Sequence, residues 1–176
     1  VRLGDRRPSF PRLRKPGRDE FLVNTYTTQY QGSADIGVHA NGDFIVVWED
    51  NGHRDGSYYA IFGQRFDAGG NRLGGEFQVN TYTTGDQRFP TVSVSPAGGF
   101  VVAWSSEAGD GSSYGVFARQ FDGGGNATGP DFVVNTYTTG DQGFGSRFEP
   151  SVAMTPDGRF VVAWDGAGPG DVQGSF

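Results

Sequence analysis

Phe21-Leu22-Val23-Asn24-Thr25-Tyr26-Thr27-Thr28 is written twice more in this chain, as Phe77-Gln-Val-Asn-Thr-Tyr-Thr-Thr84 and Phe132-Val-Val-Asn-Thr-Tyr-Thr-Thr139. The first Phe precedes the second by 56 residues and the second precedes the third by 55, so a unit of about that length repeats in tandem. The natural unit of the 176-residue chain is this copy, and the rest of the sequence is read against it.

Each copy carries four apolar segments. In the second copy the first segment is Thr91-Val-Ser-Val-Ser95, whose strict alternation predicts a half-buried strand. Pro96-Ala-Gly-Gly99 turns it, as Asn41-Gly-Asp43 and Pro156-Asp-Gly158 do in the other copies, because Gly accepts positive φ. The second segment is Phe100-Val-Val-Ala-Trp104, matched by Phe44-Ile-Val-Val-Trp48 and Phe160-Val-Val-Ala-Trp164. Apolar residues point both ways here, so this strand needs cover on both faces, as where sheets stack.

The third segment, Tyr114 to Asp122, is paralleled by Tyr59 to Asp67 and puts Phe62, Phe66, Phe117 and Phe121 on one face at period two. The fourth is the signature itself. Four antiparallel strands per copy, with tight turns and stacked faces, predict an all-β, β-propeller-like fold of about three four-stranded antiparallel blades of about 55 residues. The expected boundaries are a leading fourth strand at 20–28 and blades at 34–84, 90–139 and 149–176, the last incomplete. Three blades fall short of the roughly four to eight that close a ring, so the rest must come from another copy of the chain or from further repeats of a longer one. The leading strand is placed to complete the sheet that the last copy begins.

Composition agrees with many short strands: 30 Gly and 9 Pro punctuate the chain, and aromatics at 14% supply sheet interiors. There is no cysteine, which removes disulfides, thiolate metal sites and a cysteine nucleophile. No apolar run approaches the roughly 20 residues that cross a bilayer, and no membrane insertion is expected. Residues 1–19 hold seven basic side chains against two acidic ones and read as an irregular basic arm. The remaining 157 residues hold 7 basic and 18 acidic side chains, an acidic body that repels polyphosphates and argues against nucleic-acid binding.

Phe100-Val-Val-Ala-Trp104, the Asp110-Gly loop, Phe117-Ala-Arg-Gln-Phe-Asp122 and Phe132-Val-Val-Asn-Thr-Tyr137 together resemble the tandem repeats of large secreted or surface-attached bacterial proteins, often found beside adhesion or calcium-binding modules. The resemblance covers about residues 20–176 and implies export, a propeller-like fold and a passive or adhesive role. More loosely, the arrangement is similar to propeller lectins in which several chains pool their blades and bind sugars.

Trp48, Trp104 and Trp164 end the most apolar strand of each copy, where an aromatic platform would stack on a sugar ring and burial between blades is the competing account. Tyr82 and Tyr137 sit nearer loops and are ligand candidates on that ground. So is Phe144, within the five residues by which copy three exceeds the others between Asn135 and Trp164. Asp86, Asp110 and Asp141 lie in oxygen-rich loops that suit calcium, although the alternating Asp ladder and closing Glu of a calcium loop are absent and Asx-turns explain most of these residues without any ion.

Glu49 and Asp50, or Glu107, are the acids a glycosidase pair would draw on, and nothing in the sequence fixes their separation. His39 and His53 occur in copy one only and have no neighbouring ligands in sequence. The expected function is a non-enzymatic extracellular or cell-surface module for adhesion or recognition, its partner a glycan or a surface protein. A self-assembling structural repeat that forms a homo-oligomeric ring or filament comes second, and a glycan-acting enzyme last.

Overall fold

The computed structural model describes residues 12–13, 20–143, 149–166 and 168. Among them the regular elements are all strands: β1 (Arg12–Leu13), β2 (Phe21–Leu22), β3 (Gln31–Val38), β4 (Phe44–Asp50), β5 (Ala60–Phe66), β6 (Phe77–Gln78), β7 (Gln87–Val94), β8 (Phe100–Glu107), β9 (Tyr114–Phe121), β10 (Phe132–Val133), β11 (Ser151–Met154) and β12 (Phe160–Ala163). They form two four-stranded sheets in chain order, β3-β4-β5-β6 and β7-β8-β9-β10, with the pairs β11-β12 and β1-β2 beside them. All the pairings are antiparallel.

The hairpins form where the turn chemistry demands. Gly42, Gly98 and Gly158 take φ of 88°, 103° and 85°, the left-handed region that a side chain resists, at the link between first and second strands of each copy.

The second strand of each full sheet is buried on both faces, and period-two alternation sorts its residues between two cores. In β4, Ile45 and Val47 pack toward the second sheet with Ile61, while Phe44, Val46 and Trp48 pack on the opposite face with Val23, Ala60, Phe62 and Phe66. In β8, Phe100, Val102 and Trp104 meet the first sheet, and Val101 and Ala103 meet Val152, Met154, Phe160 and Val162 of the third copy. The shared faces are what turn separate copies into one stack, since burial of apolar area at about 25 cal/mol per Å² is available only between neighbours.

The fourth strands are shorter than the signature. In β6 the ladder stops at Gln78 because the side chain of Asn80 takes over: its Oδ1 accepts from Ile61 N at 2.9 Å, and Nδ2 donates to Tyr82 O at 2.9 Å. Asn135 does the same with Val116 N at 2.8 Å and Tyr137 O at 3.0 Å. Each buried Asn therefore ends a strand and folds the Thr-Tyr-Thr-Thr turn. The first strands, in contrast, begin earlier than their alternation. β7 starts at Gln87 and carries a bulge between Arg88 and Thr91, with Phe89 at φ 55°, and β3 repeats the bulge with Ser33 at φ 47°.

β2 pairs with β1, inside the segment read from sequence as an irregular arm, with Leu22 opposite Arg12 and Phe21 opposite Leu13. Among the described residues the sheets form an open stack and do not close into a ring. The other residues of the arm, the loop residues 144–148 and the segment after 168 lie outside the described residues.

Candidate functional site

The acidic residues gather where the second strands end and the chain passes from one sheet to the next. β4 runs past Trp48 into Glu49 and Asp50, at positions that β8 fills with Ser105 and Ser106. Glu49 is fully buried. It accepts from Arg88 Nη2 at 3.1 Å and Nε at 3.3 Å, and from the amide of Phe89, the positive-φ bulge residue, at 3.2 Å. The Glu49–Arg88 ion pair thus ties the first sheet to the bulge of the second. At the next junction the equivalent contact is uncharged, Ser105 Oγ donating to Gly143 O.

Arg88 lies over the Tyr59 ring, 4.2 Å from its centroid. Burial disfavours its charge, but the hydrogen bonds and charge of Glu49 outweigh that and raise its pKa. Asp50, also buried, holds Gly52 N at 2.7 Å and Arg54 Nη1 at 3.1 Å. Burial pushes its carboxyl above the usual range in spite of both contacts. Arg54 goes on to Glu76 at 2.9 Å and covers the Phe62 ring at 3.8 Å.

Asp86 and Glu107 form the second half of the cluster. The Asp86 amide donates to Glu107 Oε2 at 3.0 Å, and the Glu107 amide donates to Asp86 O at 2.8 Å, so the two residues are locked side by side. The Asp86 carboxyl is raised above its ordinary value by burial first and by the Glu107 charge second, with Arg88 pulling the other way. Tyr114 stands in the same field: burial, then Glu107 and Asp86, push its hydroxyl up to about 12. A carboxyl that holds its proton more tightly than usual, beside a second acid and a neutral phenol, is an arrangement able to deliver a proton to a leaving oxygen.

The predicted site residues separate into three kinds. Trp48 and Trp104 are 0% and 1% exposed, so neither has a ring face to offer a ligand; each fills a core because it sits on a strand covered from both sides. Trp164 and Tyr137 are half-buried, and Trp164 Nε1 reaches Gln142 Oε1 at 3.4 Å. Tyr82 is half-buried and stacked on Phe117 at 6.4 Å. Phe144 lies outside the described residues.

Asp110 closes an Asx-turn, accepting from Ser112 N at 3.1 Å and Asn135 Nδ2 at 2.7 Å. Among the described residues no three His, Cys, Asp or Glu side chains converge as metal ligands. Asp86 and Asp141 are brought into one field, both acting on Tyr114. Arg88 and Tyr114 carry no signal in isolation. Tyr114 repeats Tyr59 of copy one, whereas Arg88 departs from the repetition by standing where the other copies have Gly32 and Gly143, as Glu49 and Asp50 stand where copy two has serines.

No protein-family profile matches the chain, and no curated protein sequence matches it. Among solved structures, the endo-arabinase from Bacteroides thetaiotaomicron VPI-5482 is similar in fold, with a TM-score of 0.51 and 15% identity. The match covers 82% of this chain and 54% of that chain, so the chain spans about half the length of the structure it resembles. The likeness is of fold. It nevertheless corrects the functional expectation: the solved protein that shares these sheets is a glycan-acting enzyme, the class placed last from the sequence, and the non-enzymatic adhesion or recognition reading is set aside.

Proposed function

We propose that the chain forms part of a β-propeller, with β3–β6 and β7–β10 as blades and β11–β12 opening a third, and that it acts on glycans by hydrolysing a glycosidic bond. Asp86 is the proton donor, Glu107 the second acid of the pair, and Tyr114 a neutral hydroxyl that orients the donor or the sugar. The observation that carries this reading is the Asp86 carboxyl, raised by burial and by the Glu107 charge, on a main chain whose amide donates to Glu107 Oε2 at 3.0 Å. Glycoside hydrolysis draws on two acids, one that gives a proton to the leaving oxygen and one that acts as a carboxylate. The fold likeness to an endo-arabinase supports a polysaccharide as the substrate class. Action on an external polysaccharide fits a chain that works outside the cell.

The test is release of reducing ends from a panel of polysaccharides that includes arabinan. The wild-type protein should cleave at least one, and D86N and E107Q should each lower the rate by about 100-fold or more, the usual contribution of a positioned acid or base. Wild-type protein inert on the whole panel, or D86N as active as wild type, would overturn the assignment.

A further inference from the structure

The loop that joins β4 to β5 lies against the acid pair. Ser57 Oγ donates to Gly85 O at 2.8 Å, and the Gln87 amide donates to Tyr59 O at 3.0 Å. The residues on either side of Tyr58 are thus fastened to the residues on either side of Asp86, which sets these two abreast at the junction of the sheets. Every residue of the segments that frame them, 51–59, 84–87 and 107–114, is among the described residues. Tyr58 is 65% exposed there, the most open aromatic side chain of the described residues, and the His53 ring backs it at 5.0 Å between centroids. It has the free ring face that the buried Trp48 and Trp104 lack.

The open ring is not part of the repetition. Tyr58 precedes Tyr59 where Ser113 precedes Tyr114. The junction at Ser113 is otherwise built alike, with the Gly140 amide donating to Ser112 Oγ at 3.1 Å and the Gln142 amide to Tyr114 O at 2.7 Å. Glu107, third after Trp104, also departs from the repetition, since the third residue after Trp48 is Asn51 and after Trp164 is Ala167. Ring and acid pair therefore coincide at one junction. The framing segments bring Asp55, Asp86, Glu107 and Asp110, whereas Arg54 is held by Asp50 and Glu76, and Arg88 by Glu49. A field of that sign repels uronates, while an aromatic face suits the C–H face of an uncharged sugar.

We infer that Tyr58, backed by His53, is the platform on which a sugar ring next to the scissile bond stacks, so that the ligand is a chain of uncharged sugars running from Asp86 across the β4–β5 loop. The inference rests on the reading of Asp86 as the proton donor.

Affinity electrophoresis of D86N, which keeps the platform without the proton donor, tests it in gels that contain the neutral polysaccharide cut by the wild type, or arabinan if none is cut. D86N should be retarded. Y58A/D86N should bind about tenfold more weakly, and Y58F/D86N, which keeps the ring, should bind as D86N does. Polygalacturonate in place of the neutral polymer should leave the migration of D86N unchanged. In turnover, Y58A should raise KM by about tenfold. D86N that is not retarded, Y58A/D86N retarded as strongly as D86N, or retardation by polygalacturonate would overturn the inference. Retardation that depends on Tyr58, in a protein whose wild type cleaves nothing, would keep Tyr58 as the binding platform and overturn the hydrolytic reading instead.

Discussion

Glu49 at the end of β4 and Arg88 at the start of β7 meet at 3.1 Å across the junction of two sheets, the carboxylate fully enclosed and the guanidinium largely so. Removing one partner of a buried pair leaves the other charge without compensation, at a cost of about 3–5 kcal/mol for full burial and less for a pair with one exposed edge. R88A should therefore lose about 2 kcal/mol or more in urea denaturation. The double variant E49S/R88G copies the uncharged Ser105–Gly143 junction and should lose less than R88A alone. Strict additivity of the two changes would show that the pair is not coupled.

Trp104 is enclosed between two sheets, and Trp164 ends a strand of the outermost one. W104A should cost about 3–5 kcal/mol, the range for a large aromatic removed from a packed core. W164A should cost clearly less. Equal losses in thermal or chemical unfolding would place the two tryptophans in the same environment, contrary to the structure.

Glu76 accepts from Thr25 Oγ1 at 2.8 Å and Asp131 from Thr81 N at 2.7 Å, each reaching the signature of the preceding copy, and these two acids give a pH signature. Glu76 and Asp131 have folded values below their unfolded ones, so their stabilisation is fully present above the unfolded values of about 4.5 and 3.8 and fades as pH falls through the lowered ones. E76Q should unfold more easily than wild type at pH 7, and the gap should narrow steadily below about pH 4.5. A gap independent of pH would assign the loss to packing rather than to charge.

Asp86 has the opposite sign. Its folded carboxyl is raised, so ionising it in the folded protein opposes folding at neutral pH and the penalty is relieved as pH falls toward and below its unfolded value of 3.8. D86N should therefore unfold at a higher urea concentration than wild type at pH 7 and approach it in acid. A gain in stability joined to a loss of activity is the behaviour of a residue kept for chemistry at the expense of the fold. D86N less stable than wild type at pH 7 would make Asp86 a structural residue.

Period and alternation were enough to read the strands, because both are properties of local sequence. Phe44-Ile-Val-Val-Trp48 could be recognised as needing cover on two faces, and β4 is buried from end to end. The ends of the strands were not legible in the same way. Gln31, Gln87 and Gln142 look like polar loop residues, yet all three are buried and donate to the carbonyls of Thr28, Thr84 and Thr139. The bulge at Arg88 likewise breaks the alternation that marks a strand, and so hid the first residues of β7.

The sequence by itself determined that the chain is an all-β stack of equivalent copies, because a repeated hydrophobic period leaves each copy with faces it cannot bury alone. Which acids matter was decided only in three dimensions. Glu49, Arg88, Asp86, Glu107 and Tyr114 come from two copies and four different segments, and their charges act on one another only after the sheets have brought them through space to one junction. Coulombic coupling depends on distance and burial, and neither is written in a linear order of residues.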